Sequence, residues 1–92
     1  MLSWDGVLVK RQMKVRTGSD LGAAVAEARH ARSLTQQQLA DSVNLDRTYL
    51  ARIEAGISVQ MLDRTLRLLR RLGAEVTVTL PDPATSPHPD ET

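Results

Sequence analysis

The sequence predicts a small, mostly α-helical domain of four to five helices with one short β-strand. Three observations predict it. Between residues 19 and 73 apolar residues recur at helical spacing in four runs, each preceded by a capping residue and followed by a turn residue. From Glu75 to Leu80 the spacing changes to period two. The 92 residues contain no cysteine and no Phe, and Trp4 and Tyr49 are the only aromatics. The core must therefore be built from Leu, Val, Ile, Ala and Met, without a disulfide or thiolate metal staple.

Residues 1–18 form an N-terminal arm in which Val7, Val9, Met13 and Val15 alternate weakly, as in short strands. Lys10, Arg11, Lys14 and Arg16 make it basic. Three readings stand: a frayed arm with a solvated face, an arm that touches DNA phosphates, or a start of translation at Met13. The main domain spans residues 19–73. Ser19 or Asp20 can cap the first helix, which carries Leu21, Val25 and Ala28 inward to about Arg32. Ser33 is the break. Thr35 caps the second helix, with Gln38 completing a capping box. That helix, Gln36 to Val43, turns Leu39, Ala40 and Val43 inward and is too short to be stable alone.

Asn44 makes a sharp turn, since Asn tolerates positive φ better than other residues with a side chain. Leu45 returns to the core. Asp46 caps a third helix, Arg47 to Ala55, with Leu50 and Ile53 inward, and Gly56 ends it. Ser58 is the expected cap of a fourth helix from Gln60 to Leu72. This helix has two apolar rows, Leu62-Leu66-Leu69 and Met61-Leu68-Leu72, which is wider than one small core requires and suggests a subunit contact. Gly73 stops it. The strand at residues 74–80 must pair either with an N-terminal strand or with the same strand of a second subunit. Residues 81–92, with four prolines among acidic and hydroxyl residues, read as a disordered tail.

Two short helices joined by a tight turn, the second polar on its outer face, read as a helix-turn-helix. Ala40 sits where the helices cross, Asn44 makes the turn, and Leu45, Leu50 and Ile53 bury one side of the second helix of the motif. The same residues carry a family resemblance. The run Leu21–Gly73 resembles the XRE (Cro and phage-repressor-like) DNA-binding domain through Leu34-Thr35-Gln36, Gln38-Leu39-Ala40 and Tyr49-Leu50-Ala51-Arg52-Ile53-Glu54-Ala55-Gly56. The departures are Ser33 and Asn44, where that family usually has Gly. The stretch Leu66–Val78 is similar to HipB-like antitoxins.

The resemblance implies a lambda-repressor-like fold whose third helix enters the major groove by its N-terminal end. Arg47 would then read guanine, Thr48 a thymine methyl or a phosphate, and Arg52 a base or the backbone. Gln36 would support a phosphate at the start of the second helix. Tyr49 is either a phosphate ligand or packing against the fourth helix. By resemblance Arg29 and Glu54 form a partly buried ion pair; the alternative is two solvated charges. The HipB-like stretch implies a strand that pairs across a homodimer, with Leu69, Leu72, Val76, Val78 and Leu80 at the subunit contact.

Other classes fare worse. His30 and His88 are far apart and no Gly-rich phosphate loop exists, so neither an enzyme, a metal site nor a cofactor is expected. No apolar run approaches the length of a membrane span and no signal layout opens the chain, so the expectation is a cytoplasmic protein. The net charge of +1 hides an asymmetry: +4 up to Leu80, and −3 beyond it from Asp82, Asp90 and Glu91. The expected function is a repressor that binds a palindromic operator. It would be the antitoxin of a type II pair whose toxin is a HipA-like kinase. The alternatives are a stand-alone regulator and an interaction scaffold that has lost DNA binding.

Overall fold

The computed structural model describes residues 11–57 and 59–81. Their order is β1 (Arg11–Val15), α1 (Gly18–Ala31), α2 (Gln36–Ser42), α3 (Arg47–Glu54), α4 (Gln60–Arg71) and β2 (Val76–Leu80). The expected arm over residues 1–10, the tail from residue 82 and the capping role of Ser58 lie outside the described residues.

Helix starts follow local side-chain chemistry. Thr17 caps α1 in place of Ser19 or Asp20. Its hydroxyl accepts from the Asp20 amide at 3.0 Å. The Asp20 carboxylate accepts in return from the amides of Arg16 and Thr17 at 2.9 and 3.2 Å. Thr35 and Gln38 form the second such box. Asp46 caps α3, accepting from the amides of Thr48 and Tyr49 at 3.0 and 3.3 Å. Val59 precedes α4 without a side-chain cap; Asp63, in the first turn of α4, accepts instead from the Gly18 amide at 2.6 Å and ties that turn to the start of α1.

All four helices end in the same hydrogen-bonded hook. A residue of positive φ follows each cap: Ser33 (56°), Asn44 (59°), Gly56 (76°) and Gly73 (83°). The next residue's amide then bonds back to a carbonyl five residues earlier, as Leu34 does to Arg29, Leu45 to Ala40, Ile57 to Arg52 and Ala74 to Leu69. Ser33 thus adopts the left-handed turn at a position where glycine would be unstrained.

α1 is the hub, packed against α3, α4 and both strands. Its most buried residues are small: Gly18, Gly22, Ala24 and Ala31. Leu21, Val25 and Ala28, expected to lead its inner face, are only half-buried, because α1 has neighbours on several sides. Gly22 meets α3 so closely that a Cβ there would lie 2.0 Å from the carbonyl oxygen of Ile53. Ala40, Leu50, Val59 and Leu66 complete the helical core.

The two strands pair antiparallel within the one chain, Arg11 opposite Leu80 through Val15 opposite Val76. Within the chain, β2 thus takes the N-terminal partner that the alternation of Met13 and Val15 allowed. Val15 and Leu80 are buried, and Leu80 is only 1% exposed. Leu80 is therefore a core residue of the single chain; Val76 and Val78 share its face and are half-buried. Gln12, Lys14, Thr77 and Thr79 make the opposite face polar. Two further corrections concern the turn after α2. Val43 is exposed because it is the helix cap, and Leu45 is more exposed than a core residue.

Candidate nucleic-acid interface

The interface candidate is built by the first turns of α2 and α3. Asp46 and Thr35 fix where each helix begins, and Ala40, fully buried, lets the two cross closely. Arg47 is the first residue of α3, Gln36 the first of α2. The Arg47 Nη1 donates to Gln36 Oε1 at 3.1 Å. Arg47, Thr48, Tyr49 and Arg52 are all exposed, so the outer side of α3 presents two guanidinium groups, a hydroxyl and a phenol.

Behind this surface lies a bidentate ion pair. Arg29 donates from Nε to Glu54 Oε2 at 2.8 Å and from Nη2 to Glu54 Oε1 at 3.0 Å. The side chains are 10% and 6% exposed, so they are not the two solvated charges of the alternative reading. Arg29 Nη1 also donates to the Leu34 carbonyl at 2.8 Å, bracing the turn between α1 and α2. The pair joins the first and third helices of the domain. The Arg29 guanidinium holds the Glu54 carboxyl below its ordinary range, against the opposing effect of burial, and a bond from Gln36 adds to the lowering. Glu54 in turn raises the Arg29 pKa.

Gln36 stands between the ion pair and Arg47. Its amide bonds two neighbouring side chains: Nε2 donates to Glu54 Oε1 at 3.0 Å while Oε1 accepts from Arg47. Tyr49 borders a cleft with Ile53, Ile57, Met61 and Leu62 while the residue stays more than half exposed. Thr48 and Arg52 are exposed and lie one turn apart on α3. Leu39 and Ile53 are half-buried and Leu50 is buried.

Sequence reasoning missed one position and one linkage that shape this site. Gly22 sets the spacing of α1 and α3; its signal was a glycine inside a helical run, which is costly unless packing requires it. The linkage through Gln36 had no sequence signal, since it depends on two helix starts meeting in space.

A family of helix-turn-helix domains matches residues 20–80. The chain belongs to the helix-turn-helix domain family. It is also similar to a protein of Sinorhizobium fredii described as an uncharacterized HTH-type transcriptional regulator, y4mF. The two are 26% identical over 68 residues, which cover 74% of this chain and 90% of the relative. No solved structure matches the chain significantly. Among the described residues no helix is long and apolar enough to cross a membrane.

Proposed function

We propose that the chain is a sequence-specific DNA-binding transcriptional regulator that grips a palindromic operator as a homodimer. The observation that carries this reading is the placement of Arg47: it opens α3, is exposed, and stands beside the start of α2 on one surface. A guanidinium there can bond bidentately to guanine in the major groove. Thr48 and Arg52 supply further base or phosphate contacts, and the body's excess of basic residues supports a salt-dependent component. The helix-turn-helix family and the regulator relative support the same reading.

The homodimer rests on α4. Met61, Leu68 and Leu72 are 78%, 65% and 80% exposed, and they recur at spacings of seven and four residues along one outer stripe. A second copy covering that stripe would place two copies of α3 for half-sites about one helical turn apart. Leu69 lies beside this stripe and is half-buried. The reading makes the chain a cytoplasmic binding module with no catalytic role.

The finer reading is an antitoxin that also binds a toxin, with a HipA-like kinase as the candidate. The HipB-like stretch Leu66–Val78 supports it. So does the cleft lined by Tyr49, Ile53, Ile57 and Leu62, an apolar area apart from the Leu68–Leu72 end of the stripe. A toxin-like neighbouring reading frame and stoichiometric capture of a larger protein from native extract are its tests; failure of both leaves the stand-alone regulator.

Selection of duplexes from a random pool tests the main reading. Enrichment of a palindrome, with affinity that falls steeply as salt rises, is expected. A pool that stays unenriched would leave the interaction scaffold in its place.

A further inference from the structure

A cluster of arginines lies apart from the surface that carries Arg47. Arg16, Arg67 and Arg70 line one open recess of about 370 Å³, together with Thr17, Ser19 and Asp63. The start of α1, the turn after α3 and the length of α4 meet there.

We propose that this recess is an anion site for a small phosphorylated molecule, a phosphate ester or a diphosphate. The proposal goes beyond the DNA-binding reading and holds or fails without it.

The argument is one of open donors and uncompensated charge. Among the described residues, the guanidinium groups of Arg16 and Arg67 form no ion pair and no hydrogen bond. Asp20 attracts Arg16, but its carboxylate is engaged by the two amides at the α1 cap. Arg70 donates from Nη1 to the Arg16 carbonyl. That bond holds the Arg70 head in place and leaves its other N–H groups open. The Thr17 hydroxyl accepts from the Asp20 amide, so its own hydrogen remains to donate. The Ser19 hydroxyl has no partner among the described residues. Asp63 is the one carboxylate in the lining, and its Oδ1 accepts from the Gly18 amide. Three guanidinium groups against one carboxylate leave the recess two charges positive.

A lining of this kind repels cations and concentrates anions. Phosphate suits it best. Planar guanidinium forks meet phosphate oxygens in pairs, and hydroxyl groups serve the oxygens left over. A single carboxylate has too few oxygens for this donor set. The volume lies in the range of small-ligand pockets and exceeds what one bare phosphate fills. Position favours a small molecule over the operator backbone. Arg47 opens α3, whereas the recess lies beyond its far end, at Gly56. The eight residues of α3 put about 12 Å of helix between them. A phosphate bound there would tie the first turn of α1 to α4 and to the turn that ends α3.

Titration of the full chain with inorganic pyrophosphate tests the proposal, followed by calorimetry and thermal unfolding. Orthophosphate and sodium chloride at matched ionic strength run beside it. Pyrophosphate should raise Tm by roughly 10 °C at a hundredfold excess over its Kd. Orthophosphate should bind about tenfold more weakly, since it offers one phosphate group to three guanidiniums. Arg67→Gln should weaken pyrophosphate binding at least about tenfold. Arg64→Gln, at another exposed position of α4 outside the recess, should change it by less than about twofold. NMR shift mapping on the unmodified protein adds a reading that needs no variant: pyrophosphate should move the amides of Thr17, Ser19 and Gly56 first.

Chloride matching the Tm rise, or Arg64→Gln weakening binding as much as Arg67→Gln, would reduce the recess to an ordinary basic surface and overturn the inference. Shifts confined to the starts of α2 and α3 would overturn it as well. So would a protein that pyrophosphate leaves unmoved while Arg67→Gln flattens the salt dependence of duplex binding, which would assign the cluster to the DNA backbone.

Discussion

Gly22 and Ile53 bring two helices into backbone contact: a Cβ on Gly22 would stand 2.0 Å from the Ile53 carbonyl oxygen and 3.0 Å from its carbonyl carbon. No side-chain rotation relieves such a clash, because both partners are main chain. Gly22→Ala must therefore push α1 away from α3 and stretch the Arg29–Glu54 bridge between the same helices. The expected loss is about 3 kcal/mol, at the upper end for overpacking. Chemical denaturation of the purified variant measures it, and a loss near that of an ordinary surface substitution would contradict the close approach.

Removing one partner of the buried ion pair strands the other. Arg29→Ala should cost about 3–5 kcal/mol, read from the shift in denaturation midpoint. Unfolding followed without DNA separates this structural role from any effect on operator binding.

The same pair predicts an acid-sensitive fold. The folded-state pKa of Glu54 is lowered from its ordinary value of 4.5, chiefly by Arg29. Its stabilisation is complete above that ordinary value and is lost as pH falls through the lowered folded value. Asp20, lowered chiefly by the Arg16 amide, adds in the same direction. Thermal midpoints should thus hold steady at neutral pH and fall below about pH 4.5. In Glu54→Gln the protein starts less stable, and the acid decline should be shallower. An unchanged acid slope would remove Glu54 as its cause.

Ser33 pays a left-handed backbone cost that glycine does not. The relief in Ser33→Gly is roughly 1 kcal/mol, offset in part by the greater freedom of glycine in the unfolded chain. A net gain of about 0.5 kcal/mol follows, visible as a rise of roughly 2–4 °C in Tm. Asn44→Gly should be nearly neutral, since Asn already tolerates the turn. A fall in Tm for Ser33→Gly would show that the serine side chain contributes more than its backbone costs.

The α4 stripe and β2 make opposite predictions about assembly. Leu68→Glu, at an exposed position, should leave stability unchanged and convert the proposed dimer to monomer in sedimentation. Leu80→Ala should instead unfold the chain more easily, by about 2–5 kcal/mol, because Leu80 is buried within one chain. A Leu68→Glu protein that still sediments as a dimer would move the interface elsewhere.

Much of the fold was legible because it is written in local chemistry. The Thr35–Gln38 box, the Asp46 cap and the turn residues Asn44, Gly56 and Gly73 act within a few residues of themselves, so their spacing suffices to place four helices. The helix-turn-helix was readable for the same reason. The misplaced cap of α1 shows the limit: Thr17, Ser19 and Asp20 can all cap, and only the reciprocal bonds of Asp20 decide among them. The strand partner was open because pairing is non-local, and an alternating strand fits a neighbour in its own chain as well as one in another. Val43 and Leu45 look like core residues in any apolar pattern, yet one is a helix cap and the other follows the hook of the turn. At the candidate interface the exposed residues of α3 were identifiable from their helical positions. The bonds through Gln36 were not, because they join residues 11 and 18 positions apart in sequence.

The pairing of β1 with β2 also sets an order of events during synthesis. Val15 and its partner Val76 are 61 residues apart, so at ribosomal rates β1 waits roughly 3–12 s for its complement to be made. Helices α1 to α4 are made in that interval and can consolidate through their nearer contacts. β1 meanwhile has an open hydrogen-bonding edge, the kind that recruits foreign strands, and Arg11, Lys14 and the adjoining Arg16 are charges of the sort that discourage such pairing. The charges on this short strand thus guard the nascent chain until Leu80 arrives to seal it.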